Sequence, residues 1–89
     1  PMAAKTPVDD YEPIPPILRD LRESAGLTQR ALAASLGKPQ SWVHNCECGD
    51  RRVDLAEFVS WARACGRSPR AALERYLRML GSSGVRGGE

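Results

Sequence analysis

The stretch LTQRALAASLGKPQSWVHNCECG, residues 27–49, decides the fold. Thr28 is a favourable N-cap for a short helix, and Gly37 can adopt the left-handed conformation in which helices often end. Pro39 suits the first turn of a second short helix, which Gly49 closes. The turn between the two helices comprises only Gly37 to Pro39. Because it is so short, the helices are expected to cross steeply instead of forming an antiparallel hairpin.

The pattern on either side of this unit is also helical, with no alternating segment typical of a strand. The start signals are Pro15 with Pro16 for a first helix, Asp54 with Glu57 for a fourth, and Ser68 with Pro69 for a fifth. Short turns join these segments. The sequence therefore predicts an all-α fold, a compact five-helix domain.

The chain divides into three segments. Residues 1–13 carry prolines and acids without periodicity and are expected to form a flexible acidic arm. Residues 14–80 are expected to form the helical domain, and the Gly/Ser-rich residues 81–89 a disordered tail. Residues 16–80 hold 11 basic and 7 acidic residues, so the body is mildly basic. With a net charge of only +2 for the whole chain, charge alone does not identify a partner.

Several classes of protein are not expected. No run approaches the roughly 20 apolar residues of a membrane span, and no secretory signal is evident. A chain of 89 residues has a core too small to surround a large cofactor, and no cofactor is expected. The 3 cysteines are odd in number, which favours reduced thiols and a cytoplasmic location.

The cysteines and the single histidine do not suggest a catalytic or metal site. Cys46 and Cys48 point about 200° apart around a helix, so their thiolates would diverge, and Cys65 supplies at most a third ligand. His44 has neither a nucleophile nor a carboxylate partner within the motif. The protein is therefore not expected to be an enzyme or to hold a metal.

The second helix of the central unit has a distinctive outer face. Val43 and Cys46 are three residues apart and are expected to face the core, which leaves a polar stripe on the other side. This stripe comprises Gln40, Ser41, His44 and Asn45, with Cys48 at its edge. It holds no acid and no large aliphatic side chain. Short hydrogen-bonding groups suit the edges of bases, since an amide can pair with adenine through two hydrogen bonds.

Residues 18–66, LRDLRESAGLTQRALAASLGKPQSWVHNCECGDRRVDLAEFVSWARACG, closely resemble the Cro/repressor-type (XRE-like) helix-turn-helix family. The resemblance extends over about residues 16–80. It rests on the spacing of Gln29, Ala33, Gly37, Val43 and Cys46, with Leu-Thr-Gln before and Glu-x-Gly after. It implies a lambda-repressor-like domain whose second and third helices form the helix-turn-helix. It also implies a transcriptional regulator that binds double-stranded DNA sequence-specifically.

The same resemblance assigns roles to individual residues. Gln40, Ser41 and Asn45 would read bases in the major groove, with His44 on the same stripe. The residues expected to contact phosphates are Gln29, Arg30, Lys38, Arg51 and Arg52. Arg22 and Glu47 occupy the positions of a partly buried ion pair that orients the third helix and adds little net stability.

A homodimer on a palindromic operator is expected, because one recognition helix contacts only a few base pairs. The candidate interface residues are Trp61, Tyr76, Leu77 and Leu80, with Tyr11 and Ile14 anchoring the arm on the partner. Two alternatives stay open for Trp61, namely peripheral core or dimer interface. For Trp42 the alternatives are contact with DNA and packing against the start of the second helix.

Repression in a bacterial cytoplasm, on the nucleoid, is the expected role. An alternative is an antitoxin that uses the same DNA-binding domain and masks a toxin protein through its arm or last helix. A third is a protein-interaction module that has lost DNA binding, which the amide-rich face of the third helix disfavours.

Overall fold

A computed structural model describes residues 10–82 of the chain. Within that range it has no strand, and its helices are α1 (Ile14–Ser24), α2 (Gln29–Leu36), α3 (Gln40–Cys48), α4 (Leu55–Ala64) and α5 (Pro69–Ser82). The predicted all-α, five-helix fold is confirmed. Most of the expected arm and tail, residues 1–9 and 83–89, lies outside the described residues.

Local side-chain signals set the helix ends. The Thr28 hydroxyl accepts a hydrogen bond from the backbone of the first turn of α2. Asp54 and Glu57 form a reciprocal capping box at the start of α4. Gly37 and Gly49 close α2 and α3 with φ angles of +67° and +85°, a conformation that favours glycine. The turn between α2 and α3 thus has the form that the sequence predicts.

The core lies where the inward faces of all five helices meet. α2 packs against α3 and α4, and α1 packs against α3, α4 and α5. The largest fully buried side chains are Trp61, Ile17, Leu18, Leu32, Val43 and Cys46. Two of them, Val43 and Cys46, fix which side of α3 faces inward and so which side faces solvent.

Trp61 lies in the centre of this core. Its side chain is 0% exposed, and its indole N–H donates to the carbonyl oxygen of Leu18 on α1 at 2.9 Å. Burying a large indole whose N–H is hydrogen-bonded contributes strongly to the stability of a core. The assignment of Trp61 to a dimer interface is wrong, because the side chain has no surface to offer a partner.

The start of the described chain is docked onto the domain. Residues 10–13 form a turn in which the Val53 N–H donates to the Tyr11 hydroxyl oxygen at 2.9 Å. The Tyr76 hydroxyl donates to the carbonyl oxygen of Asp10 at 2.8 Å. Ile14 is 7% exposed, within the core. Ile14 therefore belongs to the core of its own domain, so the expectation that it anchors an arm on a partner is wrong. Half-buried Tyr11 also packs on its own domain. Residues 10–13, which the sequence analysis assigns to the arm, thus contact the helical domain.

Candidate functional site

The outer face of α3 is polar and open to solvent. Gln40, Ser41, His44 and Asn45 are all exposed, whereas Val43 on the opposite side is 0% exposed. The helical repeat brings these four side chains onto one surface. Their donors and acceptors are therefore available to an external partner.

Cys48 extends this face by one turn. Its Sγ lies 3.4 Å from Nε2 of His44, and the thiol is exposed. The other two cysteines differ from it, because Cys46 and Cys65 are buried. Burial raises the pKa of the Cys46 thiol to about 11 and also raises the pKa of Cys65. Among residues 10–82, no group of three or more His, Cys, Asp and Glu side chains is arranged to hold a metal.

The C-terminal end of α3 is held in place by one carboxylate, that of Glu47. Glu47 accepts hydrogen bonds from Nε and Nη2 of Arg22 at 2.6 and 3.0 Å, and from Nε2 of Gln29 at 3.0 Å. Arg22 also donates from Nη1 to the carbonyl oxygen of Leu27 at 2.8 Å. The Glu47 side chain is 4% exposed and that of Arg22 12%. The hydrogen bond to Glu47 raises the pKa of Arg22. One buried carboxylate thus joins α1, α2 and α3.

Gln29 stands at the first position of α2 and is half-buried. The resemblance assigned it to a phosphate, and the structure adds its bond to Glu47. A primary amide has two N–H donors, so one bond to the carboxylate does not use its full donor capacity. Gln29 therefore belongs to the hydrogen-bond network that fixes α3, and it lies at the edge of that network. Arg30, the next residue, is exposed.

Cations lie at both ends of α3, and each is placed over an aromatic ring. Nζ of Lys38, in the turn before α3, is 5.1 Å from the centroid of the Trp42 ring. After α3, Cζ of Arg51 is 5.2 Å from the same centroid, and Cζ of Arg52 is 4.5 Å from the centroid of the Tyr11 ring. Arg51 also pairs with Glu57 at 3.4 Å, and its Nη1 donates to the carbonyl oxygen of Arg52.

Trp42 connects this surface with the core. Its ring centroid is 6.0 Å from that of Trp61, with the ring planes tilted by 42°. Trp42 is half-buried, and its indole N–H is buried without a hydrogen-bond partner in the described part of the chain. Sequence reasoning placed it against DNA or the start of α2 and missed both this packing and its cationic neighbours. No local signal marks the packing on Trp61, which is distant in sequence, whereas Lys38 lies only four residues before Trp42.

The remaining candidate surface lies on α5. Leu77 is 53% exposed, and Tyr76 and Leu80 are half-buried. Two further leucines share this apolar region: Leu73 is 39% exposed, and Leu55 at the start of α4 is 70% exposed. Leu55 and Leu73 line the same grooves between α4 and α5. No described helix has the length and apolar character required to cross a membrane.

Comparison with known proteins finds two kinds of similarity. A family model described as "Helix-turn-helix domain" matches residues 17–86. A solved structure, an XRE-family like protein from Pseudomonas syringae pv. tomato str. DC3000, is 40% identical with a TM-score of 0.73. That match covers 79% of this chain and 85% of the other. No curated protein matches this sequence.

Proposed function

The chain belongs to the XRE-like helix-turn-helix family, and from this membership we propose that it is a sequence-specific transcriptional regulator that represses genes by occupying an operator. The observation that carries the proposal is the outer face of α3. Four short polar side chains are exposed there together, and cations lie at both ends of the helix. This arrangement matches what a helix needs to enter a major groove, namely base-reading groups between phosphate contacts.

In this proposal α3 is the recognition helix. Gln40, Ser41 and Asn45 read base edges, and His44 contributes from the same face. The proposed phosphate contacts are Lys38 before the helix together with Gln29, Arg30, Arg51 and Arg52. Such contacts position the helix and supply most of the salt-dependent affinity, but they carry no sequence information.

The network around Glu47 supports this assignment. A helix that reads bases must keep a fixed angle to the rest of the domain, because small rotations move its side chains off the base edges. Hydrogen bonds from Arg22 and Gln29 to one nearly buried carboxylate restrict that rotation. In the groove, the second amide N–H of Gln29 would bind a phosphate.

We propose further that two copies bind together on a palindromic site. A few base pairs per protomer give too little specificity, and pairing doubles the site that is read. The surface proposed for pairing is the apolar face formed by Leu55, Leu73, Leu77 and Leu80, with Tyr76 at its edge. Trp61 is excluded from it by burial. The regulator would act on the chromosome, in a bacterial cytoplasm.

Selection of bound fragments from a random duplex library tests the proposal directly. We expect enrichment of a palindrome whose half-sites are centred about one helical turn apart, roughly 10 base pairs. A Gln40→Ala/Asn45→Ala protein is the matched control. Both side chains are exposed, so it should fold normally and enrich no sequence. Failure of the folded wild-type protein to enrich any duplex would overturn the proposal.

A further inference from the structure

Two aromatic side chains lie beneath the cations that flank α3. Trp42 has Lys38 and Arg51 within 5.1 and 5.2 Å of its ring centroid, and Tyr11 has Arg52 at 4.5 Å. All three distances lie within the roughly 6 Å over which a cation is attracted to the face of an aromatic ring. These cations come from two different connections, the turn before α3 and the loop after it. The same kind of cation–ring contact therefore occurs both before and after α3.

Each ring is in turn fixed to the body of the domain. Trp42 packs on Trp61, and the Trp61 indole N–H is bonded to the carbonyl oxygen of Leu18. The Tyr11 hydroxyl oxygen accepts a hydrogen bond from the N–H of Val53, the residue that follows Arg52. Both rings are therefore held by contacts that do not involve the cations. They provide fixed surfaces on which long, flexible side chains can rest.

We propose that Trp42 and Tyr11 are positioning residues for DNA binding, which hold Lys38, Arg51 and Arg52 where phosphates are met. The inference rests on the proposed function, because the cations matter only if they contact a polyanion. Neither aromatic residue needs to touch DNA. Lysine and arginine side chains have many rotamers, and ordering them on binding is costly. A ring that restricts them beforehand reduces that cost, as preorganisation generally does.

Arg51 has a second support, because Glu57 holds it at 3.4 Å. Glu57 is also part of the capping box of α4, so its removal would disturb the helix itself. Lys38 with Trp42 is therefore the pair chosen for a double-mutant cycle, and Tyr11 is tested by comparing substitutions that keep or remove its ring.

The first experiment compares Tyr11→Leu with Tyr11→Phe by fluorescence anisotropy on the selected operator. Phenylalanine keeps the ring beneath Arg52 but loses the oxygen that accepts the Val53 N–H, so it should lower Tm and leave affinity nearly unchanged. Leucine removes the ring, so affinity should fall about two- to tenfold. Equal losses of affinity for the two variants would overturn the role of the Tyr11 ring.

The second experiment is a double-mutant cycle on Trp42. Trp42→Leu should weaken binding about five- to fiftyfold, because Lys38 and Arg51 both lose the ring beneath them, while Trp42→Phe should restore most of the affinity. In a Lys38→Ala background the effect of Trp42→Leu should shrink. Arg30→Ala is the matched control, since Arg30 is an exposed cation on α2 and should combine additively with Trp42→Leu.

A salt titration separates positioning from direct contact. Lys38→Ala removes a phosphate contact and should reduce the log–log salt slope by about 1. Trp42→Leu keeps all the cations, so it should leave the slope unchanged while lowering affinity at every salt concentration. Additivity with Lys38→Ala in a folded protein, shown by circular dichroism, would refute the inference alone. Absence of DNA binding by the wild-type protein would instead refute the proposed function.

Discussion

Arg22 on α1 donates two hydrogen bonds to the carboxylate of Glu47 at the end of α3, from Nε at 2.6 Å and from Nη2 at 3.0 Å. The two residues are 25 positions apart in the chain, and both side chains are largely shielded from water. A parallel pair of charged hydrogen bonds fixes orientation as well as distance. This bidentate contact therefore restricts the orientation of α3 relative to α1, in addition to their packing in the core.

We expect Arg22→Ala to lower the free energy of unfolding by about 3 kcal/mol, because it leaves a buried carboxylate with Gln29 as its remaining side-chain donor. Urea denaturation measures this loss. Affinity for DNA should also fall in the fraction that stays folded, since α3 loses part of its support.

An exposed arginine one turn earlier provides the control for this prediction. Arg19 pairs with Glu23 at 3.1 Å, but both side chains are more than half exposed, so Arg19→Ala should cost less than about 1 kcal/mol. Adding Glu47→Gln to Arg22→Ala should recover part of the lost stability by removing the buried charge. Equal stability of the Arg19 and Arg22 variants would show that burial of the pair has no energetic consequence.

Base reading and phosphate contact should respond differently to substitution. Gln40→Ala removes an exposed amide from the face of α3 and should relax base preference at one position of each half-site, at a cost of about 1–3 kcal/mol. Arg52→Ala should weaken all sequences nearly equally. Affinities for a set of single-base operator variants distinguish the two patterns. The reverse pattern would mean that α3 does not lie in the groove as proposed.

Affinity for DNA should depend steeply on salt. With Lys38, Arg51, Arg52 and Arg30 at phosphates, the log–log slope should be roughly −3 to −4 per protomer, because each neutralised phosphate releases condensed counterions. Anisotropy titrations between low and moderate salt provide the slope. A DNA affinity that stays constant over that range would rule out phosphate contacts by all four cations.

The three cysteines should differ in reactivity. Cys48 is exposed on the α3 face, whereas burial raises the pKa of Cys46 to about 11 and that of Cys65 above its usual value. A raised pKa leaves less thiolate at a given pH, and thiolate is the reactive form. At pH 8 we expect one thiol, Cys48, to react rapidly with a maleimide, and the other two to react only on unfolding.

Operator DNA should protect that thiol. If α3 enters the groove, bound DNA covers Cys48 and should slow its labelling in proportion to occupancy. Duplex DNA without the operator, at the same concentration, is the control. Identification of the labelled residue by peptide mass spectrometry completes the test. Undiminished labelling at saturating operator would place Cys48, and with it this end of α3, outside the contact.

Pairing should depend on the exposed leucines of α5. Leu77 is 53% exposed, so Leu77→Glu should leave the monomer folded and place a charge in the proposed interface. Sedimentation with operator DNA should then show one bound protomer where the wild-type protein shows two. Ser60→Glu, an exposed change on α4, is the control and should leave stoichiometry unchanged. Two bound Leu77→Glu protomers would move the interface elsewhere.

Much of the fold follows from local sequence signals. The capping residues, such as Thr28, Gly37 and Asp54, act on backbone groups only a few residues away. Their effects can therefore be predicted from a short stretch of sequence. The bounds of α2 matched those that Thr28 and Gly37 predict, and Gly49 is the C-cap of α3. The exposed stripe on α3 was also predictable, because it follows from helical spacing once Val43 and Cys46 are assigned to the core.

Other features were decided by tertiary structure. Trp61 is buried among core side chains of other helices, where the carbonyl oxygen of Leu18, 43 residues away, accepts its N–H; the sequence pattern of α4 alone left it between core and interface. Tyr11 packs on its own domain because Val53, 42 residues away, donates to it. The sequence by itself determined where helices begin and end and which face of α3 is polar, since these depend on neighbours within a turn or two. Which aromatic rings are buried, and the contact of Arg52 with Tyr11, depend on packing across the whole domain, and no local pattern encodes that packing.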